Sequence, residues 1–140
     1  MDVQLGLFPD EPGPESAAPV GPAHVTPRVL DIAARLPHEL RMGTSSWSFP
    51  GWNGIVYDRE VSQAKLARHG LTAYARHPLL RSVGVDRTYY RPIDEDAFRT
   101  YATAVPDDFR FLVKAHRLVT SPTDPEAHGV RQANPFFLDA

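Results

Sequence analysis

The feature that most constrains this chain is an order: three short stretches of strand character, each followed by a polar and aromatic loop and then by a stretch of helical periodicity. Leu40 to Trp47 reads as a first strand running into a loop of Gly, Ser and aromatic residues that extends to Tyr57. Leu80 to Asp86 reads as a second strand and Phe109 to His116 as a third. Between the first two, Ala64, Ala67, Leu71 and Tyr74 keep helical spacing, with Ser62 as N-cap and Pro78 as the stop. Gly70 sits inside that helix, where it costs about 1 kcal/mol against Ala and can split the helix in two. Before the third strand, Asp94 caps a helix whose stripe is Ala97, Phe98, Tyr101, Ala102 and Val105, ended by Pro106. One more helix precedes the first strand: Thr26-Pro27 starts it, Val29, Ile32, Ala33 and Leu36 share its face, and Pro37 stops it. Such alternation, with a longer loop after each strand than before it, implies βαβ units and a parallel sheet, fold class α/β. Three parallel strands followed by so little helix leave an edge bare. The expectation is therefore the N-terminal portion of a (β/α)8 TIM-type barrel over residues 26–140, truncated.

Ahead of that segment the composition changes. Half of the 14 prolines precede His38, and Pro9 to Pro22 mixes them with Gly, Ser and acidic residues. Such a stretch buries too little apolar surface to offset its ordering entropy, so residues 9–25 are expected to be a disordered linker and residues 1–8 a separate peptide. A hydrophobic fraction of 42% and a charged fraction of 23% are those of an ordinary globular protein. With a net charge of -2 there is no overall basic field, and no direct nucleic-acid-binding signal is present. The absence of cysteine removes thiolate nucleophiles and Cys-ligated zinc, and no apolar run reaches the roughly 20 residues of a membrane span, so a cytoplasmic location is expected.

Three blocks carry a resemblance. Arg41-Met-Gly-Thr-Ser-Ser-Trp-Ser-Phe-Pro-Gly-Trp-Asn-Gly54, Thr88-Tyr-Tyr-Arg-Pro92 and Pro106-Asp-Asp-Phe-Arg-Phe-Leu-Val-Lys-Ala-His-Arg117 resemble the N-terminal signature blocks of the YecE-like family, domain of unknown function 72. Each falls at or near the exit of a strand, and together they cover about residues 38–122. The resemblance implies a TIM-type barrel and leaves the activity open. It also marks a departure: where the family carries a glutamate in the second strand, two positions before an asparagine, this chain has Gly84 and Asp86.

The strand period then sorts side chains by face. Phe109, Phe111, Val113 and Ala115 fall on one side of the third strand and Arg110, Leu112, Lys114 and His116 on the other. Helices cover the outside of a barrel, so the aromatic side, with Val83, Val85 and Met42, should face them. Gly43, Ser45, Gly84, Asp86, Lys114 and His116 should then face inward, near the strand C-termini where barrel enzymes keep their sites. On this reading Lys114 is an anion-holding group or, if desolvated, a Schiff-base amine, with Asp86 and His116 as proton-transfer candidates. Ser45, Trp47, Thr88, Tyr90 and Arg117 are the candidates for holding a small-molecule substrate. Two plainer readings stay open: Lys114 and Asp86 as a structural ion pair, and the loop aromatics Trp47, Phe49, Trp52, Tyr57, Tyr89 and Tyr90 as packing.

Among the six histidines, only His116 with Asp86 has plausible ligand geometry, which is too few groups for a metal. No phosphate-binding Gly loop of the P-loop or dinucleotide type is present, and no cofactor is assigned. A different lead lies at the start of the chain. Gln4-Leu5-Gly6-Leu7-Phe8 resembles the pentapeptide that docks on the bacterial replication sliding clamp, with Gln4 for polar contacts and Leu5, Leu7 and Phe8 as apolar anchors. Residues 9–25 would then be a tether of roughly 20 to 25 Å if flexible. The same Leu5, Leu7 and Phe8 could equally fold back on an apolar groove of the chain itself.

Overall fold

The computed structural model describes residues 18–123 and 133–137. Its elements follow in the order α1 (Pro27–Arg35), β1 (Met42–Thr44), α2 (Gln63–His69), α3 (Leu71–Tyr74), β2 (Leu80–Val85), α4 (Arg87–Tyr90), α5 (Glu95–Thr103), β3 (Arg110–Val113) and α6 (Arg117–Thr120). The strands make one parallel sheet in the order β1-β2-β3, as the alternation of strand and helix predicts.

Local chemistry sets the helix boundaries. The Ser62 hydroxyl accepts the Lys65 amide at 3.3 Å and the Asp94 carboxylate accepts the Ala97 amide at 2.8 Å, satisfying N–H groups that the first turn of α2 and of α5 leaves without carbonyl partners. Glu95 and Asp96 add negative charge at the same end of α5. Gly70 does split the central helix, standing as C-cap of α2 and N-cap of α3.

Among the described residues, one face of the sheet is covered and the other is not. Val83, Val85 and Phe109 are buried with Leu66, Leu71 and Tyr74 of α2 and α3. Phe109 meets Tyr74 edge-on at 6.3 Å, and Phe111 stacks on Tyr101 of α5 at 6.1 Å. Tyr74 also ties the strands together: its hydroxyl accepts the Thr44 amide at 3.1 Å and donates to the Ser82 carbonyl at 3.0 Å. On the opposite face Leu112 is 78% exposed, and among the described residues no layer covers it. Met42, expected under the helices, is exposed at the edge of the sheet. In α1, Leu30 and Ile32 are exposed and no residue is fully buried.

The expected linker ends earlier than residue 25. Val20 and Ala23 are buried, the Ala23 amide donates to the Val56 carbonyl at 2.9 Å, and the Asp58 amide donates to the Gly21 carbonyl at 3.0 Å. Arg59 fixes the start of this segment by donating to the Ala18 and Pro19 carbonyls. The partner strip, Val56 to Asp58, lies far along the chain, so local composition carries no trace of the pairing. Residues 9–17 of the expected linker lie outside the described residues.

Candidate functional site

The strand exits lie together because the sheet is parallel and in register: Val85 pairs with Val113, and Thr44 with Val83. Two glycines let β1 and β2 approach closely. A Cβ on Gly43 would collide with the Ser82 carbonyl, and one on Gly84 would meet the Ser45 oxygen at 2.9 Å and its Cα at 3.1 Å. Position 84 therefore admits no larger side chain unless the exit of β1 shifts.

Above these glycines is a cavity of about 230 Å³. Ser45, Ser46, Ser48, Asp86 and Arg87 supply its polar lining, and Trp47 and Tyr101 its aromatic wall. The Ser46 hydroxyl accepts the Ser48 amide at 3.1 Å and lies 3.0 Å from the Ser48 hydroxyl. The Thr44 hydroxyl donates to the Ser46 carbonyl at 2.7 Å, which fixes the loop as it leaves β1. The Arg87 guanidinium carbon stands 5.7 Å from the centre of the Tyr101 ring, a cation–π arrangement that holds the charge at the cavity rim. The Asp86 carboxylate has no hydrogen bond or ion-pair partner among the described residues, and Asp86 is exposed.

The predicted residues divide. Ser45, Trp47 and Asp86 come together on the cavity. Trp47 does so as a fixed wall: it is buried, its indole N–H donates to the Ala67 carbonyl at 3.3 Å, its ring meets Tyr101 at 5.1 Å, and its carbonyl accepts the Tyr57 hydroxyl. Thr88 is buried with its hydroxyl 2.8 Å from the Val85 carbonyl and 2.6 Å from the Lys114 carbonyl, so it staples the exits of β2 and β3 to each other. Lys114 does not line the cavity; its ammonium lies 4.8 Å from the centre of the Tyr89 ring, and no ion pair joins it to Asp86 among the described residues. Being exposed, it lacks the desolvated setting that a Schiff-base amine needs. The His116 Nδ1 accepts the Leu118 amide at 3.1 Å and caps α6, so the neutral ring carries its proton on Nε2 and offers a donor there. Tyr90 is 65% exposed and packs edge-on against Tyr89, and Arg117 begins α6; neither lines the cavity. Gln4, Leu5, Leu7 and Phe8 lie outside the described residues.

Pattern reasoning missed Arg87, Ser46 and Ser48. Arg87 was accessible in principle, since it directly follows the inward-facing Asp86 at a strand exit. The two serines were not, because a loop has no period from which to assign a face. Among the described residues no three His, Asp or Glu side chains are grouped to hold a metal ion, and no helix is long and apolar enough to cross a membrane.

Comparison with known proteins gives one match. The family described as "Protein of unknown function DUF72" matches residues 41–139, a stretch that contains all three strands. No curated protein and no solved structure matches the chain.

Proposed function

The chain belongs to the DUF72 family, and on that footing we propose that it is an enzyme acting on a small polar, anionic molecule at the C-terminal ends of its strands, within a (β/α)8 TIM-type barrel to which these strands belong. The observation that carries the reading is the cavity itself: it gathers an arginine, three serines and a carboxylate with no partner among the described residues at the mouth of a parallel sheet. Arg87 and the Ser46–Ser48 pair suit an anionic group, because a guanidinium held over an aromatic ring presents its N–H fork without reorganising. Asp86 suits the role of proton acceptor from the bound molecule. Lys114, outside the cavity lining at the exit of β3, would act on a bound anion as a nearby positive charge, and His116, also outside the lining, stays a proton-transfer candidate at the same strand exit.

Orthophosphate and malonate serve as probes. Bound at about 100 times its dissociation constant, an anion raises stability by about 2.7 kcal/mol, a shift of several degrees in Tm for a domain of this size. The expected result is a rise with at least one probe that disappears in Arg87→Ala and shrinks in Lys114→Ala. An equal rise in all three proteins would sink the reading.

A second reading rests on Gln4-Leu-Gly-Leu-Phe8: recruitment to the replication sliding clamp, with the protein an accessory to DNA metabolism. A peptide of residues 1–12 should bind purified clamp at micromolar concentration and lose binding in the Leu7→Ala, Phe8→Ala form. No binding at high micromolar peptide ends that reading.

A further inference from the structure

On the helix side of the sheet, between α2–α3 and α5, runs a second and larger groove of about 840 Å³. Trp47, Leu71 and Tyr101 supply apolar floor, and Arg68, His69 and Arg76 stand on its rim. No aspartate or glutamate lines it among the described residues, and neither Arg68 nor Arg76 has a carboxylate within ion-pair distance there. Both arginines are exposed. A groove with an apolar floor, edged by two arginines that have no carboxylate partner among the described residues, fits a segment that is apolar and acidic together.

The chain carries such a segment and delivers it to this place. Ala18, Pro19, Val20 and Gly21 themselves line the groove, pinned there by the Arg59 and Asp58 contacts. Residues 1–17, which lead into them, contain Asp2, Asp10, Glu11 and Glu15 and no Lys, Arg or His, with Met1, Val3, Leu5, Leu7 and Phe8 as their large apolar side chains. We propose that the groove between α2–α3 and α5 is the docking site of the chain's own N-terminal segment, with Leu7 and Phe8 on the Trp47–Leu71–Tyr101 floor and Asp10, Glu11 and Glu15 against Arg68 and Arg76. The tether is short, so the effective concentration of the segment at the groove is about millimolar and a weak contact suffices. Surface charge pairs of this kind are screened by salt, which makes the docking ionic-strength dependent. The groove shares Trp47 and Tyr101 with the strand-exit cavity, but the proposal does not rest on the chemistry proposed there. It makes any partner that reads Gln4 to Phe8 compete with the groove.

The test places the photoreactive analogue p-benzoylphenylalanine at position 8 of the full chain, followed by irradiation at low micromolar concentration and mass spectrometry of the digest. Adducts should concentrate on residues 63–76 and 100–104 within the same chain. They should fall at least fivefold in Arg68→Glu, Arg76→Glu and in 1 M salt. Because Asp10 and Glu11 precede the described fold, Asp10→Lys, Glu11→Lys gives a second variant that leaves the groove untouched; it should lose the adducts alone and restore them when combined with the arginine reversals. Adducts spread in proportion to surface exposure, an absence of adducts, or insensitivity to all charge reversals would overturn the proposal. So would adducts that join two chains and grow with protein concentration, which would assign the groove to a second copy.

Discussion

The two ends of the parallel sheet use charge in opposite ways. At the N-terminal ends, Arg81 pairs with the Asp108 carboxylate at 2.6 Å and donates to the His38 carbonyl at 3.0 Å, while Arg41 donates to the Asp108 carbonyl at 3.2 Å. The Arg81 hydrogen bond holds the Asp108 carboxyl below the usual carboxylate range. One charged cluster thus joins the starts of all three strands and spends its hydrogen bonds internally. At the C-terminal ends the carboxylate of Asp86 has no partner among the described residues, Lys114 rests on an aromatic face, and Arg87 stands at the rim of a cavity. Charge satisfied inside the fold stabilises it. Charge left unsatisfied at a cavity is free to bind something else.

Changes that attack the sheet itself should outweigh those at either end. Gly43→Ala places a Cβ against the Ser82 carbonyl and should cost about 3 kcal/mol in urea denaturation, the upper range for overpacking against rigid backbone. A loss under about 1 kcal/mol would show that β1 and β2 can part without consequence. Tyr74→Phe removes the hydroxyl that links Thr44 to Ser82 and should cost about 2 kcal/mol, because it leaves partly buried backbone groups without partners.

Much of this scaffold was legible in the sequence. The strand–helix alternation, the caps Ser62 and Asp94, the break at Gly70 and the placing of Phe109 and Phe111 toward the helices all follow from local periods and local hydrogen bonds, whereas Val113 and Ala115, expected on the same side, are exposed. What was not legible depends on distant partners. Val20 and Ala23 are buried by a strip more than thirty residues away, and Thr88, placed among substrate-holding candidates, is drawn onto two carbonyls that only the paired strands bring together. Trp47 shows the same limit, since an aromatic residue leaving a strand can line a cavity and brace the helices at once.

At the N-terminal end of the sheet, Asp108→Asn should lower stability by less than Tyr74→Phe, since the pair is partly exposed to solvent. A drop as large as that of Tyr74→Phe would mean the cluster, rather than the core, holds the sheet. The smallest effect belongs to His77, just before β2. Burial holds its imidazole below the usual pKa near 6.5, so the folded chain binds fewer protons there than the unfolded one. Its contribution is present above about pH 6.5 and is lost as the pH falls through its folded pKa. The slope of stability against pH between 7 and 5 should therefore flatten in His77→Gln, and an unchanged slope would assign that titration elsewhere.

The contrast between the two ends is tested most directly by urea denaturation of Arg87→Ala, Lys114→Ala beside the parent chain, each with and without orthophosphate. The account predicts stability within about 0.5 kcal/mol of the parent or above it, as expected for surface groups that brace nothing, together with loss of any stabilisation by phosphate. A loss of stability as large as that of Asp108→Asn, with the phosphate response intact, would show that the C-terminal ends are braced like the N-terminal ones and would contradict the assignment of a site there.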